Sequence, residues 1–297
     1  MKRLKRYQYE QYAILCNLAY PDTFDHTLYG FSKAGRHEIT DRWGRTIIRL
    51  LWGEQKEVVV VFKGSQNLWD WMINLAFFPK KIPAGDTHCH VHWGYYALLE
   101  QCSKTPKSIA SGYLTSRHLT SHHISDSQRV EWQHSVERQY QQRHLSLYQQ
   151  IEGVLVPLIQ SGKKVALTGH SSGGAMAVLV AHRLYQTHPN AIKRIVTFGQ
   201  PATGFWNFKQ HYPLAQHTYR ICCDLDMVTF LPPLPLVYWH VGKMLWLHNG
   251  KIYEDTPTFQ RLYRSLISWI LRPITYHYMN KYIRNKDFST NTDLFMP

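Results

Sequence analysis

Acidic residues are scarce in this chain. Its 297 residues carry 20 Asp and Glu against 34 Lys and Arg, a net charge of +14 with the 18 His neutral. Such a balance favours acidic partners: nucleic acid, an anionic lipid surface or an acidic protein. The basic residues are dispersed, with no basic run interleaved with aromatics and no zinc-finger or RNP-type pattern, so nucleic acid is not an expected partner. Protein partners are left unspecified. Cysteine is sparse too: Cys16, Cys89, Cys102, Cys222 and Cys223 form an odd, scattered set without C-x-x-C spacing, which excludes a disulfide scaffold and a Cys-based zinc site. No apolar run is long enough for a transmembrane helix. Residues 1–10 open with basic residues but turn polar where a signal peptide would turn apolar. That predicts no Sec-type export, and a chain that stays in the cytoplasm or leaves through a dedicated secretion system. With neither internal repeat nor Pro/Gly-rich linker, residues 1–297 read as one domain.

What is there reads as strand alternating with helix. Residues 10–20 have helical spacing and stop at Pro21. Residues 47–52 and 57–62 read as strands, the second β-branched almost throughout, as expected of a strand buried on both faces. Further strands are expected at 88–91, 164–168, 194–198 and 218–221, and helices at 93–101, 144–160 (interrupted by Pro157) and 173–187. Residues 103–142 change to Ser, His, Gln, Arg and Thr and read as a polar surface insertion. This alternation predicts an α/β fold with an open, mostly parallel central sheet.

The segment Gly169-His170-Ser171-Ser172-Gly173 joins a buried strand to a helix. G-x-S-x-G in that context presents a serine hydroxyl at the carboxyl end of the sheet, on a strained turn above a helix N-terminus. A merely tight βα turn accounts for the glycines but not for a serine at its apex. A serine nucleophile needs a histidine to take its proton and a carboxylate to steady that histidine. In hydrolases of this topology the acid follows the serine and the histidine comes last. Asp224 and Asp226 lie just beyond the strand at 218–221, in the place for the acid.

The ordered motifs resemble those of the class 3 lipases, which include the fungal triacylglycerol lipases. Val60-Val61-Phe62-Lys63-Gly64-Ser65 resembles their F-R-G-[ST] strand end, and Trp69-Asp70-Trp71-Met72-Ile73-Asn74-Leu75 their D-W-x-x-N-L segment. Val91-His92-Trp93-Gly94-Tyr95 resembles V-H-x-G-F, residues 168–175 the T-G-H-S-L-G-G-A elbow, and Thr197-Phe198-Gly199-Gln200-Pro201 the T-F-G-x-P strand end. Residues 220–232 resemble R-x-x-x-x-x-D-x-V-x-x-L-P. The similarity spans Glu10 to Lys243, with a weaker echo to Ile283. It implies an α/β-hydrolase fold with helices on both faces of the sheet. It implies Ser171 as nucleophile, Asp226 as acid, and Ser65 and Ser172 as the oxyanion hole. For the histidine it implies His277, in a C-terminal helical segment at 255–283, with His240, in Tyr238-Trp239-His240-Val241-Gly242, as the alternative. The chain departs from the family at Ser172 (usually Leu), Lys63 (usually Arg) and Ala202-Thr203 (usually Arg-Val).

Residues 67–78 stand where the fungal lipases carry a lid, with Trp69, Trp71, Phe77 and Phe78 as candidate lipid contacts; an ordinary packed helix is the competing reading. Phe259, Leu262, Tyr263, Leu266, Ile267 and Ile270 recur at helical spacing and are expected to face the core rather than a membrane interface. His88, His90 and His92 alternate on a strand but lack a further ligand, and no metal or other cofactor is expected. The sequence thus predicts a serine carboxylic ester hydrolase acting on a lipid ester, a triacylglycerol lipase or phospholipase A, with peripheral contact to anionic membrane. A catalytically silent lipase-like binding or signalling protein, and a secreted phospholipase effector against bacteria or a host, are the alternatives.

Overall fold

Strand β3 (Glu57–Phe62) sets the plan of the molecule. Its residues alternate between two cores: Val58, Val60 and Phe62 join one apolar cluster, Val59 and Val61 the other. A strand apolar on both faces must be covered on both, and each fully buried valine contributes about 1.5–3 kcal/mol. The structure, a computed structural model, describes residues 4–21, 31, 35–41, 44–54, 56–65, 77–102, 145–224, 226–234, 236–248, 251–256, 259–261, 263 and 277–284.

Around β3 runs an eight-stranded sheet. Its strands are β1 (Arg36–Thr40), β2 (Thr46–Trp52), β3, β6 (Lys164–His170), β7 (Ile192–Phe198), β9 (Thr218–Cys223), β11 (Lys243–His248) and β12 (Lys251–Glu254), in that spatial order. The run β3-β6-β7-β9-β11 is parallel, and the flanking pairs β1/β2, β2/β3 and β11/β12 are antiparallel. One face is covered by α2 (Trp93–Glu100), α3 (Leu147–Gln160) and α4 (Ser172–Thr187), the other by α1 (Arg6–Leu18) and α6 (Met279–Arg284). A smaller sheet, β10 (Tyr238–Trp239), β8 (Gly204–Phe205), β5 (Thr87–His92) and β4 (Pro79–Ala84), lies alongside. α5 (Trp206–His211) follows β8 directly.

The elements follow from the sequence with instructive exceptions. Helix α3 begins where Ser146 caps it, with Gln149 reaching back to the Ser146 amide. It continues through Pro157 to Gln160, because a proline in the last turn removes few hydrogen bonds. Strand β4 contains Pro79 and Pro83 and reads poorly as a strand, yet it forms the edge of the small sheet, where a missing N–H is tolerated. Of the stripe expected to face the core, Phe259 and Tyr263 are instead 76% and 78% exposed, while Arg261 between them is buried. Arg261 is taken in by Thr229, Met244 and the ring of Phe230, so a guanidinium occupies the space the aromatic rings were expected to fill. Leu262, Leu266, Ile267 and Ile270 lie outside the described residues, as do the insertion at 103–142 and, of residues 67–78, all but Phe77 and Phe78. No helix among the described residues is long and apolar enough to cross a membrane.

Candidate active site

β6 runs into Ser171 and α4 begins at the next residue. Ser171 has φ 57° and ψ −131°, a conformation that costs a residue other than glycine about 1–3 kcal/mol. It is held from both sides: its N–H donates to the Phe198 carbonyl at 2.9 Å, and its carbonyl accepts from Gly174 N–H at 3.0 Å. The turn closes only because its flanks are small; a Cβ on Gly169 would lie 2.4 Å from the Gly173 carbonyl oxygen. Ser171 is buried, and its Oγ has no hydrogen-bond partner among the described residues.

Asp226 lies beyond the carboxyl end of β9. One of its oxygens caps the turn at Met227–Phe230 by accepting from Val228 N–H at 3.0 Å. The Nδ1 of His277 stands 2.9 and 3.0 Å from the two carboxylate oxygens, and the Tyr282 hydroxyl donates to Oδ2. Burial alone would raise the Asp226 pKa. The His277 ring beside it and the bonds from His277 and Tyr282 outweigh that, and hold it below the usual carboxylate range. An ionised carboxylate only accepts, so Nδ1 of His277 carries a proton and donates it to Asp226. The His277 Nε2 is buried and, among the described residues, has no partner.

Sequence reasoning passed over two residues here. Tyr282 lies five residues beyond His277 in the same short segment, and its hydroxyl is the third donor to Asp226. Burial, then the Asp226 charge, raises the pKa of that hydroxyl, keeping it protonated as a donor must be. Gly199 was visible only as part of a motif. It has φ +57°, and a Cβ there would lie 2.6 Å from Asp226 Oδ2 and 3.0 Å from both His277 Cε1 and the Tyr282 oxygen. The spacing of His277 and Tyr282, and a glycine at a strand end, were the available signals.

The structure brings His277 to Asp226 and leaves His240 elsewhere. His240 donates through Nε2 to the Thr229 carbonyl at 2.9 Å. Its pKa is driven well down by burial and then by Arg220, with Arg261 and Lys209 adding to the effect. Ser65 and Ser172 do meet: the Ser65 N–H donates to Ser172 Oγ at 3.2 Å. Phe77 and Phe78 are exposed, and Trp69 and Trp71 lie outside the described residues. Of the alternating histidines, His92 caps α2 by accepting from Gly94 N–H and stacks on Tyr95, while His90 meets Asn207. Burial pushes the His92 pKa down to about 4. Among the described residues no three His, Cys, Asp or Glu are grouped to hold a metal.

Residues 59–236 match the family described as lipase (class 3). The chain belongs to the class 3 lipase family. It is 26% identical over 206 residues to a secreted mono- and diacylglycerol lipase of Fusarium solani, covering 68% of this chain and 47% of that protein. It is 25% identical over 200 residues to the lipase of Rhizomucor miehei, covering 66% and 43%. The chain thus spans about half the length of the curated relatives it matches. Among solved structures, lipase II of Rhizopus niveus aligns with a TM-score of 0.53 at 20% identity, covering 81% of this chain and 79% of that one. Such a likeness identifies the fold, which is that of the α/β hydrolases. One expectation is corrected by these relatives. A chain kept in the cytoplasm, or exported only by a dedicated system, does not fit a class 3 lipase whose Fusarium relative is named as secreted. The polar turn of residues 1–10 was too local a signal to decide location.

Proposed function

We propose that this chain is a serine hydrolase that cleaves the carboxylic ester bonds of lipids, with Ser171 as nucleophile, His277 as general base and Asp226 as its support. The observation that carries the reading is a pair of buried polar atoms without partners, the Ser171 hydroxyl and the His277 Nε2. The second belongs to a ring whose other nitrogen is fixed on an ionised carboxylate. What sets these two apart from other unpartnered buried atoms is their setting, a serine on a strained strand-to-helix turn and an imidazole oriented by a buried carboxylate, the parts that a nucleophile and its base need.

In the proposed chemistry, Ser171 Oγ attacks the ester carbonyl carbon as its proton moves to His277 Nε2. The tetrahedral oxygen is received by the backbone N–H groups of Ser65 and Ser172, the Ser65 N–H leaving the Ser172 hydroxyl to do so. The alcohol then leaves with the proton from Nε2, and water, activated by the same nitrogen, releases the fatty acid from Ser171. Asp226 stays ionised throughout and stabilises the imidazolium.

The net charge of +14 and the exposed Phe78 and Leu236 favour action at an anionic lipid surface. A phospholipid therefore stands beside the mono- and diacylglycerols as a candidate substrate. The test is fatty-acid release from phosphatidylglycerol, diolein, triolein and a soluble short-chain ester by the protein and by Ser171→Ala. The unmodified protein should turn over at least one lipid ester and react with a fluorophosphonate at Ser171. Turnover by Ser171→Ala at the unmodified rate, or no reaction with the fluorophosphonate, overturns the reading.

A further inference from the structure

The segment that carries His277 is held from the side of helix α1, by contacts that no step of the chemistry above uses. We propose that Tyr20 and His170 are positioning residues, which hold the His277 backbone, and through it the imidazole, in register with Ser171. This rests on the hydrolase reading above and extends it to the support of the base.

The bonds run in one direction. His170 Nε2 is 2.7 Å from the His277 carbonyl oxygen, and a carbonyl only accepts, so the proton lies on Nε2. Burial, then the neighbouring His277, pushes the His170 pKa down to about 3. The ring therefore carries one proton, and its Nδ1 is an acceptor. Tyr20 Oη, 2.6 Å from that Nδ1, must donate to it. The Tyr20 oxygen also packs against Gly64, next to Ser65: a Cβ on that glycine would lie 2.6 Å from it. The carbonyl acceptor at the far end and the single proton on the His170 ring fix the direction: Tyr20 to His170 to His277.

Both ends of the chain are pinned. Buried Arg49 in β2 donates to the carbonyls of Ala19 at 2.6 Å and Pro21 at 3.2 Å, on either side of Tyr20, and to Glu38 at 2.8 Å. The His277 segment has a second tie to α1, where Tyr9 donates its hydroxyl to the Tyr282 carbonyl at 2.6 Å. The rings of His170 and His277 stack with centroids 4.5 Å apart and planes at 29°. A neutral ring in that place supports the face of His277 without opposing the charge His277 gains during turnover. Tyr20 thereby stands between Gly64, beside the proposed oxyanion hole, and His170, which holds the loop of the proposed base.

The experiment compares isosteric variants. Tyr20→Phe removes only the hydroxyl. His170→Asn keeps an amide near the place of Nδ1 but does not reach the His277 carbonyl, whereas His170→Gln restores a donor near the place of Nε2. Tyr20→Phe and His170→Asn should each lower kcat on a soluble ester, and the rate of fluorophosphonate reaction at Ser171, about tenfold. KM should stay within about twofold. His170→Gln should recover most of the loss. The double variant should lose no more than the worse single one, because both act through one chain. Unmodified rates in both single variants, or losses that multiply, overturn the proposal. If a variant does not fold, the ¹⁵N shifts of His170 in the unmodified protein decide: Nε2 protonated and Nδ1 bare supports the chain, and the opposite tautomer sinks it. Absence of reaction at Ser171 in the unmodified protein would instead remove the hydrolase reading, leaving the tautomer measurement as it stands.

Discussion

The backbone amide of Ser65 donates to the side-chain oxygen of Ser172 across 3.2 Å, joining the loop after β3 to the first residue of α4. These are the two residues whose N–H groups are proposed to receive the tetrahedral oxygen, and Ser172 stands where the family usually has leucine. In the proposed chemistry the hydroxyl holds that amide between the two loops until the tetrahedral oxygen takes over the bond. Ser172→Ala should therefore lower kcat about tenfold, ~1.4 kcal/mol, with KM little changed. Steady-state turnover of a soluble ester measures this; an unchanged kcat would detach the hydroxyl from the chemistry.

Tyr282→Phe should destabilise the protein by about 1–3 kcal/mol, because it takes one donor from a fully buried carboxylate. The pH dependence follows from the sign of the Asp226 shift. Its folded pKa lies below the usual carboxylate value, so the stability it contributes is complete above that usual value and is lost as pH falls through the folded one. Without the Tyr282 donor the folded pKa rises, and the loss should begin at higher pH. Thermal unfolding of both proteins from pH 7 to pH 3 tests this, and superimposable curves would contradict it.

Gly199→Ala places a methyl carbon 2.6 Å from Asp226 Oδ2 at a residue with φ +57°. Strain and displacement of the acid should act together, costing about 2 kcal/mol or more in stability and at least tenfold in kcat. Urea unfolding and ester turnover on one preparation separate the two effects. Full activity with lowered stability would mean that the acid moves without consequence.

His182 in α4 is buried against Phe208, with no partner on Nε2 among the described residues, and burial pushes its pKa down to about 4. The unfolded chain takes up the proton near pH 6.5, well before the folded one does. Stability from this residue is therefore complete above that pH and falls as pH drops toward 4, by about 2 kcal/mol between pH 6.5 and pH 5. His182→Leu should flatten this part of the profile. Urea midpoints at pH 7 and pH 5 would count against it if the two proteins lose equally.

The central strands and the elbow were legible because their signals are local. The valines of β3 and the glycines around Ser171 each meet a constraint that a few neighbouring residues set. β4 was not legible, since its prolines are acceptable only at a sheet edge, which no local window reveals. Phe259, Arg261 and Tyr263 mislead for a related reason: helical spacing says which residues share a face, not whether that face meets core or water. The choice between His277 and His240 needed three dimensions as well. Both follow Asp226, and only the packing of α1 and α6 on the sheet brings one of them to the carboxylate. Tyr20 and His170 gave no sign at all, because their bonds span 150 and 107 residues.

His277 comes 51 residues after Asp226, beyond the hairpin of β11 and β12. During synthesis the ribosome therefore releases the alcohol first, the carboxylate next and the ring last. In the proposed chemistry a nascent chain short of that segment lacks the ring that takes the proton of Ser171, so the growing polypeptide would be inert toward esters until its last elements dock.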